Sequence, residues 1–248
     1  MIGERAAVPL LLCSLGLLIG GLVWFPASLA LRALPAPIRC AAATGTLWQG
    51  RCSQLVVQEA LIGTLAWQLR PSALLGGRLS AQMDWSLRDD HLQGNLNATR
   101  HSLTLSALRG RLDFVTMRTL PIWPPGLNAR LARTEGRLRV ELFESTWRGG
   151  RWVDLRGTLE GEGLAWQAKD RWDLGGLRLT LGTDRPSVGA VVDTGGPLDI
   201  KAALSLEAAP AWTLEGFVRA RDPAWVPRLG VLGPPDPLGR HRLSIEGR

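Results

Sequence analysis

The chain has 248 residues, of which 46% are hydrophobic, and it carries 29 Lys and Arg against 22 Asp and Glu, a formal net charge of +7. This length suits one large or two small domains, and the hydrophobic fraction is ordinary for a folded protein. The basic residues are dispersed, and apart from Lys169 and Lys201 all of them are arginines. Dispersed charge excludes a nucleic-acid-binding arm, so we expect no nucleic-acid partner.

An uncharged run lies near the start of the chain, from Ala6 to Leu31. About twenty apolar residues cross a bilayer core of roughly 30 Å, and aromatic rings such as those of Trp24 and Phe25 favour the headgroup boundary. The run therefore predicts a single transmembrane helix. The predicted division is a cytoplasmic N-terminus over 1–5, the anchor over 6–31 and a periplasmic domain over 32–248.

A cleaved signal peptide is the alternative interpretation of this run. Ser28 and Ala30 are small residues at the spacing that signal peptidase prefers. The run is longer than the 7–15 residues of a usual signal core, which favours the uncleaved anchor. The arginines on either side of the run do not fix its orientation, so the periplasmic placement is argued from the rest of the chain.

Three cysteines divide between the uncharged run, which holds Cys13, and the segment after it, which holds Cys40 and Cys52. An oxidising periplasm would permit Cys40 and Cys52 to form a disulfide, which contributes roughly 3 kcal/mol for a loop of this size. Two free thiols are the alternative. No histidine lies near them in sequence, so we expect no metal site. We also expect no cofactor.

Apolar residues recur at every second position after the uncharged run, as where Leu138, Val140 and Leu142 alternate with Arg139 and Glu141. This period predicts β-strands with one apolar face. Turn signals separate the strands, so an antiparallel meander is expected. These signals are Gly76–Gly77, Asp89–Asp90, Gly149–Gly150, Gly175–Gly176 and Gly195–Pro197. The best candidate for a short helix is 223–233.

A fragmentary Leu-x-Gly-x-Leu repeat runs through the β region, at 92–96, 108–112 and 155–159. Repetition of one strand unit extends a sheet, and glycine relieves crowding where a strand bends. We therefore predict an all-β fold with a long, curved, mostly antiparallel sheet that forms an open groove with an apolar concave face. A closed sandwich is the alternative.

Eleven tryptophans stand beside only four phenylalanines and no tyrosine. Tryptophans beside strands either form a platform for a lipid or carbohydrate, or fill the core and cover sheet edges. Trp147 and Trp152 flank Gly149–Gly150, which predicts a hairpin with both rings near its turn.

Enzymatic chemistry has little support in the sequence. The three histidines, His91, His101 and His241, are far apart, and no metalloprotease, nucleophile-elbow or phosphate-loop motif occurs. Asp89 and Asp90 are neighbours and suit a turn better than shared acid–base catalysis. We expect no catalytic residues.

Three segments carry a resemblance to a known family. GTLWQGRCSQL, 45–55, resembles the Gly-Thr-hydrophobic-Trp-x-Gly element that follows the membrane anchor in the type II secretion system protein N family. IGTLAWQLRPSALLGGRL, 62–79, resembles the next element of that family, and LGPPDPLGRHRLSIEGR, 232–248, its closing loop and last strand. The same pattern is similar to AsmA-like and lipopolysaccharide-export folds, which are open β grooves.

The matched residues imply structural roles. Gly45 and Gly50 would let the backbone turn on both sides of Trp48, and Pro71 would end the strand that contains Trp67. The full set of matched positions is Gly45, Thr46, Trp48, Gly50, Trp67, Pro71, Gly239 and Arg240.

The resemblance implies a bitopic accessory component in the inner membrane, part of the machine that exports folded proteins from the periplasm through the secretin. Its partners would be other secretion subunits or the secretin, bound at an exposed strand edge, or a lipid held on the apolar face. The alternative function is an AsmA-like lipid-binding or lipid-transfer protein of the cell envelope.

Overall fold

The computed structural model describes residues 20–21, 23–32, 37–120, 133–167, 171–182, 188–206 and 212–247. Thirteen strands occupy most of these ranges. They are β1 Ile38–Gly45, β2 Gln49–Val57, β3 Ala60–Leu69, β4 Leu79–Leu87, β5 Asp90–Ala98, β6 Ser102–Asp113, β7 Thr134–Arg148, β8 Arg151–Gln167, β9 Arg171–Leu181, β10 Val188–Gly195, β11 Leu198–Leu206, β12 Trp212–Ala220 and β13 His241–Gly247.

Four short α-helices accompany the sheet in the described part of the chain. They are α1 Ala27–Arg32, α2 Pro71–Leu75, α3 Phe114–Thr119 and α4 Val226–Leu229, the last flanked by 3-10 turns at Pro223–Trp225 and Gly230–Leu232. The helical expectation for 223–233 is therefore confirmed.

Each strand pairs antiparallel with its neighbours in sequence, so the thirteen strands form one sheet in the order β1 to β13. Among the described residues β1 and β13 do not pair with each other, which leaves the sheet open with two edges. The prediction of an all-β, open antiparallel fold is confirmed, and the closed sandwich is excluded for this part of the chain.

The meander places successive turns alternately at two ends of the sheet. The first end carries the β1–β2, β3–β4, β5–β6 and β7–β8 connections, and we call it the anchor end because the N-terminal segment reaches the sheet there. The opposite end, called the far end, carries the β2–β3, β4–β5, β6–β7, β10–β11 and β12–β13 connections. The tight β7–β8 hairpin needs glycine, because Gly149 and Gly150 have φ of 58° and 79°. Trp147 and Trp152 flank this turn as predicted, with ring centroids 5.0 Å apart.

The glycines of the Leu-x-Gly-x-Leu repeat make room for leucines of neighbouring strands. Gly110 lies opposite Leu92 and Gly157 lies opposite Leu142. A Cβ added at Gly110 would lie 2.8 Å from Cδ2 of Leu92, and one added at Gly157 would lie 2.7 Å from Cδ2 of Leu142. Each leucine therefore lies across a glycine on the apolar face, which lets the strands approach and twist without crowding that face.

Helix α3 packs on the apolar face near the far end. Met117 forms a buried cluster with Leu112 of β6 and Val140 of β7. The helix contacts β3 as well as β6 and β7, although β3 and β7 would lie about 19 Å apart in a flat sheet. The sheet therefore bends toward its apolar face around α3.

A second cluster covers the apolar face of the last strands. Trp225 and Leu229 pack on Leu198 and Val218. The Trp225 ring meets Trp172 edge to face at 5.8 Å. Elsewhere on the sheet, Trp85 donates its indole N–H to the Ile62 carbonyl oxygen at 2.9 Å. Of the two interpretations of the tryptophans, internal packing holds for these three.

The uncharged N-terminal run lies partly outside the described residues, which begin at residue 20. Residues 20, 21 and 23 are helical, a turn follows at Trp24, and α1 begins at Ala27 as a separate helix. No helix within the described ranges is both long and apolar enough to cross a membrane.

Candidate interaction surfaces

Strand register divides the sheet into two faces, because residues paired across strands point to the same side. One face, here called the apolar face, carries leucine-rich rows such as Leu65, Trp85, Leu92, Leu138 and Leu159. The other face carries charged rows with exposed ion pairs, including Arg178 with Glu160 and Arg139 with Glu162. The apolar face and the two sheet edges are candidate surfaces for binding a partner.

The first matched motif forms the β1–β2 turn. The Thr46 N–H donates to the Gln49 carbonyl oxygen at 2.8 Å, and the Gln49 N–H donates to the Thr46 hydroxyl oxygen at 3.2 Å. Gly45 has φ of 88°, and a Cβ at this position would lie 2.4 Å from the Gln49 oxygen. The turn therefore requires glycine at position 45 and is stabilised by threonine at position 46.

The same turn receives the N-terminal segment. The Leu47 N–H donates to the Phe25 carbonyl oxygen at 2.8 Å, and Pro26 forms an isolated β-bridge with Thr46. Ala27, the first residue of α1, is fully buried, and α1 contacts β1 and β2. Phe25, Pro26 and Ala27, which lie inside the predicted anchor of 6–31, are thus attached to the sheet, and α1 flanks the β1 edge.

Trp67 joins this turn to the next hairpin. Its indole N–H donates to the Leu47 carbonyl oxygen at 2.9 Å. A Cβ at Gly50 would lie 2.5 Å from the Trp67 ring, so only glycine leaves room for it. The Leu69 N–H donates to the Trp48 carbonyl oxygen at 2.6 Å. The structure therefore brings the matched residues of the first two motifs together at the anchor end.

Pro71 begins α2, two residues after the end of β3. The sequence predicted only a glycine break before β4, whereas the structure has a five-residue helix with proline at its first turn. Proline fits there because the first helical N–H groups have no partner within the helix.

Cys40 and Cys52 form a disulfide across β1 and β2, with their Cα atoms 5.9 Å apart. Cys52 is 1% exposed. The bond closes the hairpin whose turn receives Phe25 and Pro26, so it restrains the same edge that α1 flanks.

The opposite edge is β13. Its seven residues pair with Trp212–Val218 of β12, and no described strand pairs with its outer side. Arg242, Ser244 and Glu246 are exposed, whereas Leu243 and Ile245 are half-buried. An unpaired edge presents backbone N–H and C=O groups to a further strand.

A loop braced by one carboxylate leads into β13. Asp236 accepts hydrogen bonds from the backbone N–H and the guanidinium of Arg240, and the Asp236 N–H donates to the Arg240 oxygen at 2.8 Å. These bonds hold the pKa of Asp236 below its ordinary value. Gly239 takes φ of 71°, and the Arg240 guanidinium lies 4.8 Å from the Phe217 ring centroid. Gly239 and Arg240 therefore set the start of β13.

A second ion pair lies at the start of the connection between β12 and β13. Arg221 pairs with Asp193 of β10 and also donates to the Leu198 carbonyl oxygen at 3.1 Å. Burial raises the pKa of Asp193, but the hydrogen bonds from Arg221 and the Ile200 N–H outweigh it and lower that pKa overall. Neither pair was predicted from the sequence, although the Asp-x-x-x-Arg spacing from Asp236 to Arg240 is a readable signal for the first of them.

No group of three or more metal-ligating side chains is found among the described residues. His241 is buried and its Nδ1 lies 2.8 Å from the Gly233 carbonyl oxygen. His91 and His101 are exposed on β5 and in the β5–β6 turn. The three histidines are thus not brought together.

Comparison with known proteins gives one family and one curated relative. The model of the family described as type II secretion system (T2SS), protein N, matches residues 36–244. A Type II secretion system protein N from Vibrio cholerae serotype O1 (strain ATCC 39315 / El Tor Inaba N16961) is 41% identical over 82 residues, which cover 32% of this chain and 32% of the relative. The matched region thus spans about a third of the curated relative. No solved structure matches the chain.

Proposed function

The chain belongs to the type II secretion system protein N family, and we propose that it is a non-enzymatic, inner-membrane accessory component of the type II secretion system. In this role it binds other secretion subunits or the secretin and so helps folded proteins leave the periplasm.

The contrast between the two sheet edges carries this proposal. The β1 edge is flanked by α1 and restrained by the Cys40–Cys52 disulfide. The β13 edge has no strand on its outer side among the described residues. Addition of a partner strand to an open edge is a recurring mode of protein recognition, since backbone hydrogen bonds supply affinity and alternate side chains supply specificity. We propose β13 as the docking edge.

The proposed topology places the sheet in the periplasm. A disulfide persists in an oxidising compartment, which supports an extracytoplasmic position for Cys40 and Cys52. Because a turn at Trp24 precedes α1 and α1 packs on the sheet, the membrane helix would occupy the run from 6 to 23. Such a helix is about 27 Å long at 1.5 Å per residue, which is close to the bilayer-core thickness of roughly 30 Å and lies within the range of about 17–25 residues that cross it.

Site-specific photocrosslinking in secreting cells tests the docking edge. With p-benzoylphenylalanine at Ser244, we expect adducts that contain a secretion subunit or the secretin. The matched position is Gln93, which is exposed in the interior strand β5 and should give no such adduct. Equal capture from both positions would contradict edge docking. Normal secretion in cells from which only the gene for this protein has been deleted would contradict the secretion role itself.

Lipid binding on the apolar face is the second candidate function. The buried clusters formed by α3 and by the 223–232 segment lie toward the far end. Nearer the anchor end, Leu96, Leu103 and Leu105 share the apolar face and keep part of their surface exposed. A photocrosslinker at Leu96 should then capture acyl chains, whereas one at Asn97, exposed on the opposite face, should not. Absence of lipid adducts at Leu96 would contradict this function.

A further inference from the structure

The described connections at the anchor end lack acidic residues, whereas those at the far end mix acidic and basic residues. The described anchor-end connections, 46–48, 70–78, 99–101 and 149–150, contain no Asp or Glu. Five exposed arginines lie in or beside them, and no ion pair to these side chains occurs among the described residues. They are Arg70, Arg78, Arg100, Arg148 and Arg151. The described far-end connections carry both signs of charge: Glu59, Asp89, Asp222 and Asp236 lie there together with Arg88, Arg118, Arg133, Arg221, Arg228 and Arg240.

Exposed apolar side chains lie at the same anchor end. The Arg70 N–H donates to the Ser80 carbonyl oxygen at 2.9 Å, so α2 extends beyond the point where β3 and β4 close. Leu75 of this helix is 93% exposed, and Leu74 is 45% exposed. Two leucines on a protruding turn between Arg70 and Arg78 combine apolar surface with positive charge, as interfacial membrane-binding segments do.

The N-terminal segment also enters at this end. Phe25 is bonded to Leu47 and Pro26 to Thr46, and the preceding Trp24 is 78% exposed. The chain reaches the β1–β2 turn at Phe25 and Pro26, within the last seven residues of the uncharged run 6–31. A membrane helix over 6–23 would therefore bring the bilayer surface to the same end as α2 and the five arginines.

We propose that the anchor end of the sheet docks directly on an anionic phospholipid bilayer, with Leu74 and Leu75 inserted at the headgroup level and the arginines on lipid phosphates. Anionic lipid surfaces attract clustered basic residues, and exposed tryptophan favours the interface. The sheet then stands on the membrane and points its far end away from it. The orientation of the sheet in this inference rests on the proposed anchor, but the binding of lipid by the anchor end rests neither on the anchor nor on the secretion role.

Fluorescence quenching on the full chain in lipid nanodiscs tests the inference. An environment-sensitive fluorophore is placed at Leu75→Cys or at Asp89→Cys, each in a Cys13→Ser background. Since Leu75 and Asp89 lie on either side of β4, they are about 30 Å apart at the rise of an extended strand. In discs containing phosphatidylglycerol and headgroup-depth quencher lipids, we expect a blue shift and loss of fluorescence at Leu75→Cys and neither at Asp89→Cys.

A label on the native Cys13 separates failure of the anchor from failure of docking, because this residue lies within the uncharged run. Quenching of the Cys13 label by deep quenchers, without quenching at Leu75→Cys, would overturn docking and leave the anchor intact. Lack of quenching at Cys13 would overturn the anchor, and the Leu75→Cys signal would still decide whether the surface binds lipid. Equal quenching at Leu75→Cys and Asp89→Cys would also overturn the proposed orientation.

Charge reversal tests the contribution of the arginines. The double substitution Arg70→Glu and Arg78→Glu should reduce quenching at Leu75→Cys in discs with anionic lipid. The control is Arg88→Glu in the far-end β4–β5 turn, which should leave the quenching unchanged. Equal quenching in anionic and purely zwitterionic discs, or an equal effect of both variants, would overturn the electrostatic part of the proposal.

Discussion

The two edge strands of the sheet have the same alternating pattern of side chains, but the rest of the chain makes different contacts with each of them. At β1, the N-terminal segment forms a bridge with Thr46, α1 lies alongside and a disulfide joins the first two strands. At β13, the adjoining connection is braced by Asp236 and Arg240, yet no strand in the described part of the chain pairs with its outer side. The difference indicates that one edge is committed to intramolecular contacts and the other is available to a partner.

The largest effect is expected from Trp67→Ala at the β1 side. The indole fills the space over Gly50 and donates to Leu47, so its removal should lower the free energy of unfolding by about 3 kcal/mol. Trp67→Phe keeps an aromatic ring but loses the hydrogen bond, so it should lower the free energy of unfolding by only about 1 kcal/mol. Denaturant unfolding measures both variants. An equal loss of unfolding free energy in Trp67→Ala and Trp67→Phe would show that packing of the ring contributes little to stability.

Removal of the disulfide should be nearly as costly. The double substitution Cys40→Ala and Cys52→Ala is expected to cost about 3 kcal/mol, because the reduced chain loses the loop constraint in its unfolded state. Cys13→Ser is the matched control and should not change stability. Crosslinking from Ser244 should persist in the double variant wherever it remains folded. Loss of this crosslinking in a folded variant would mean that the two edges are coupled.

A smaller, local effect is expected from Asp236→Asn. The substitution removes the ion pair with Arg240 while keeping an oxygen for the backbone N–H. Hydrogen exchange of 233–241 should become faster, with little change in the unfolding midpoint. The comparison variant is Asp154→Asn, which removes the exposed pair with Arg156 on the charged face and should leave exchange in 233–241 unchanged. If both variants behave alike, the Asp236 loop is not a specific brace.

The smallest effect is a pH dependence confined to the β13 side. Asp193 and Asp236 have pKa values below the ordinary value. Stabilisation from such carboxylates is complete above their unfolded pKa, near 3.9, and is lost as the pH falls through the lower folded value. We expect exchange in 221–240 to accelerate below about pH 4, before exchange in the disulfide-linked hairpin 38–57. Acceleration that begins in the hairpin would contradict this assignment.

Sequence patterns predicted the strands because a period of two is visible in single segments, such as Leu138, Val140 and Leu142. The turn glycines at 149 and 150 and the leucines around Gly110 were readable for the same local reason. The helix at Pro71 was missed because proline both ends a strand and begins a helix, and only the tertiary setting separates these outcomes.

The candidate surfaces were less predictable, since they depend on contacts between distant residues. The motif positions Thr46 and Trp67 were found, but their shared contact through Leu47 was not visible in the sequence. The one-sided grouping of Arg70, Arg100 and Arg148 emerges only when the meander brings alternate turns to one end. The dispersed arginines of the sequence thus include a group that has no acidic residue beside it in the described connections at one end of the fold.

Backbone hydrogen exchange of β13 tests the central claim most directly. The full chain in nanodiscs is compared with and without the secretion subunit captured at Ser244. We expect amides in 241–247 to gain protection when the partner binds, whereas amides in β1 do not change. Binding that leaves β13 exchange unchanged, or that protects β1 instead, would contradict the claim that β13 is the docking edge.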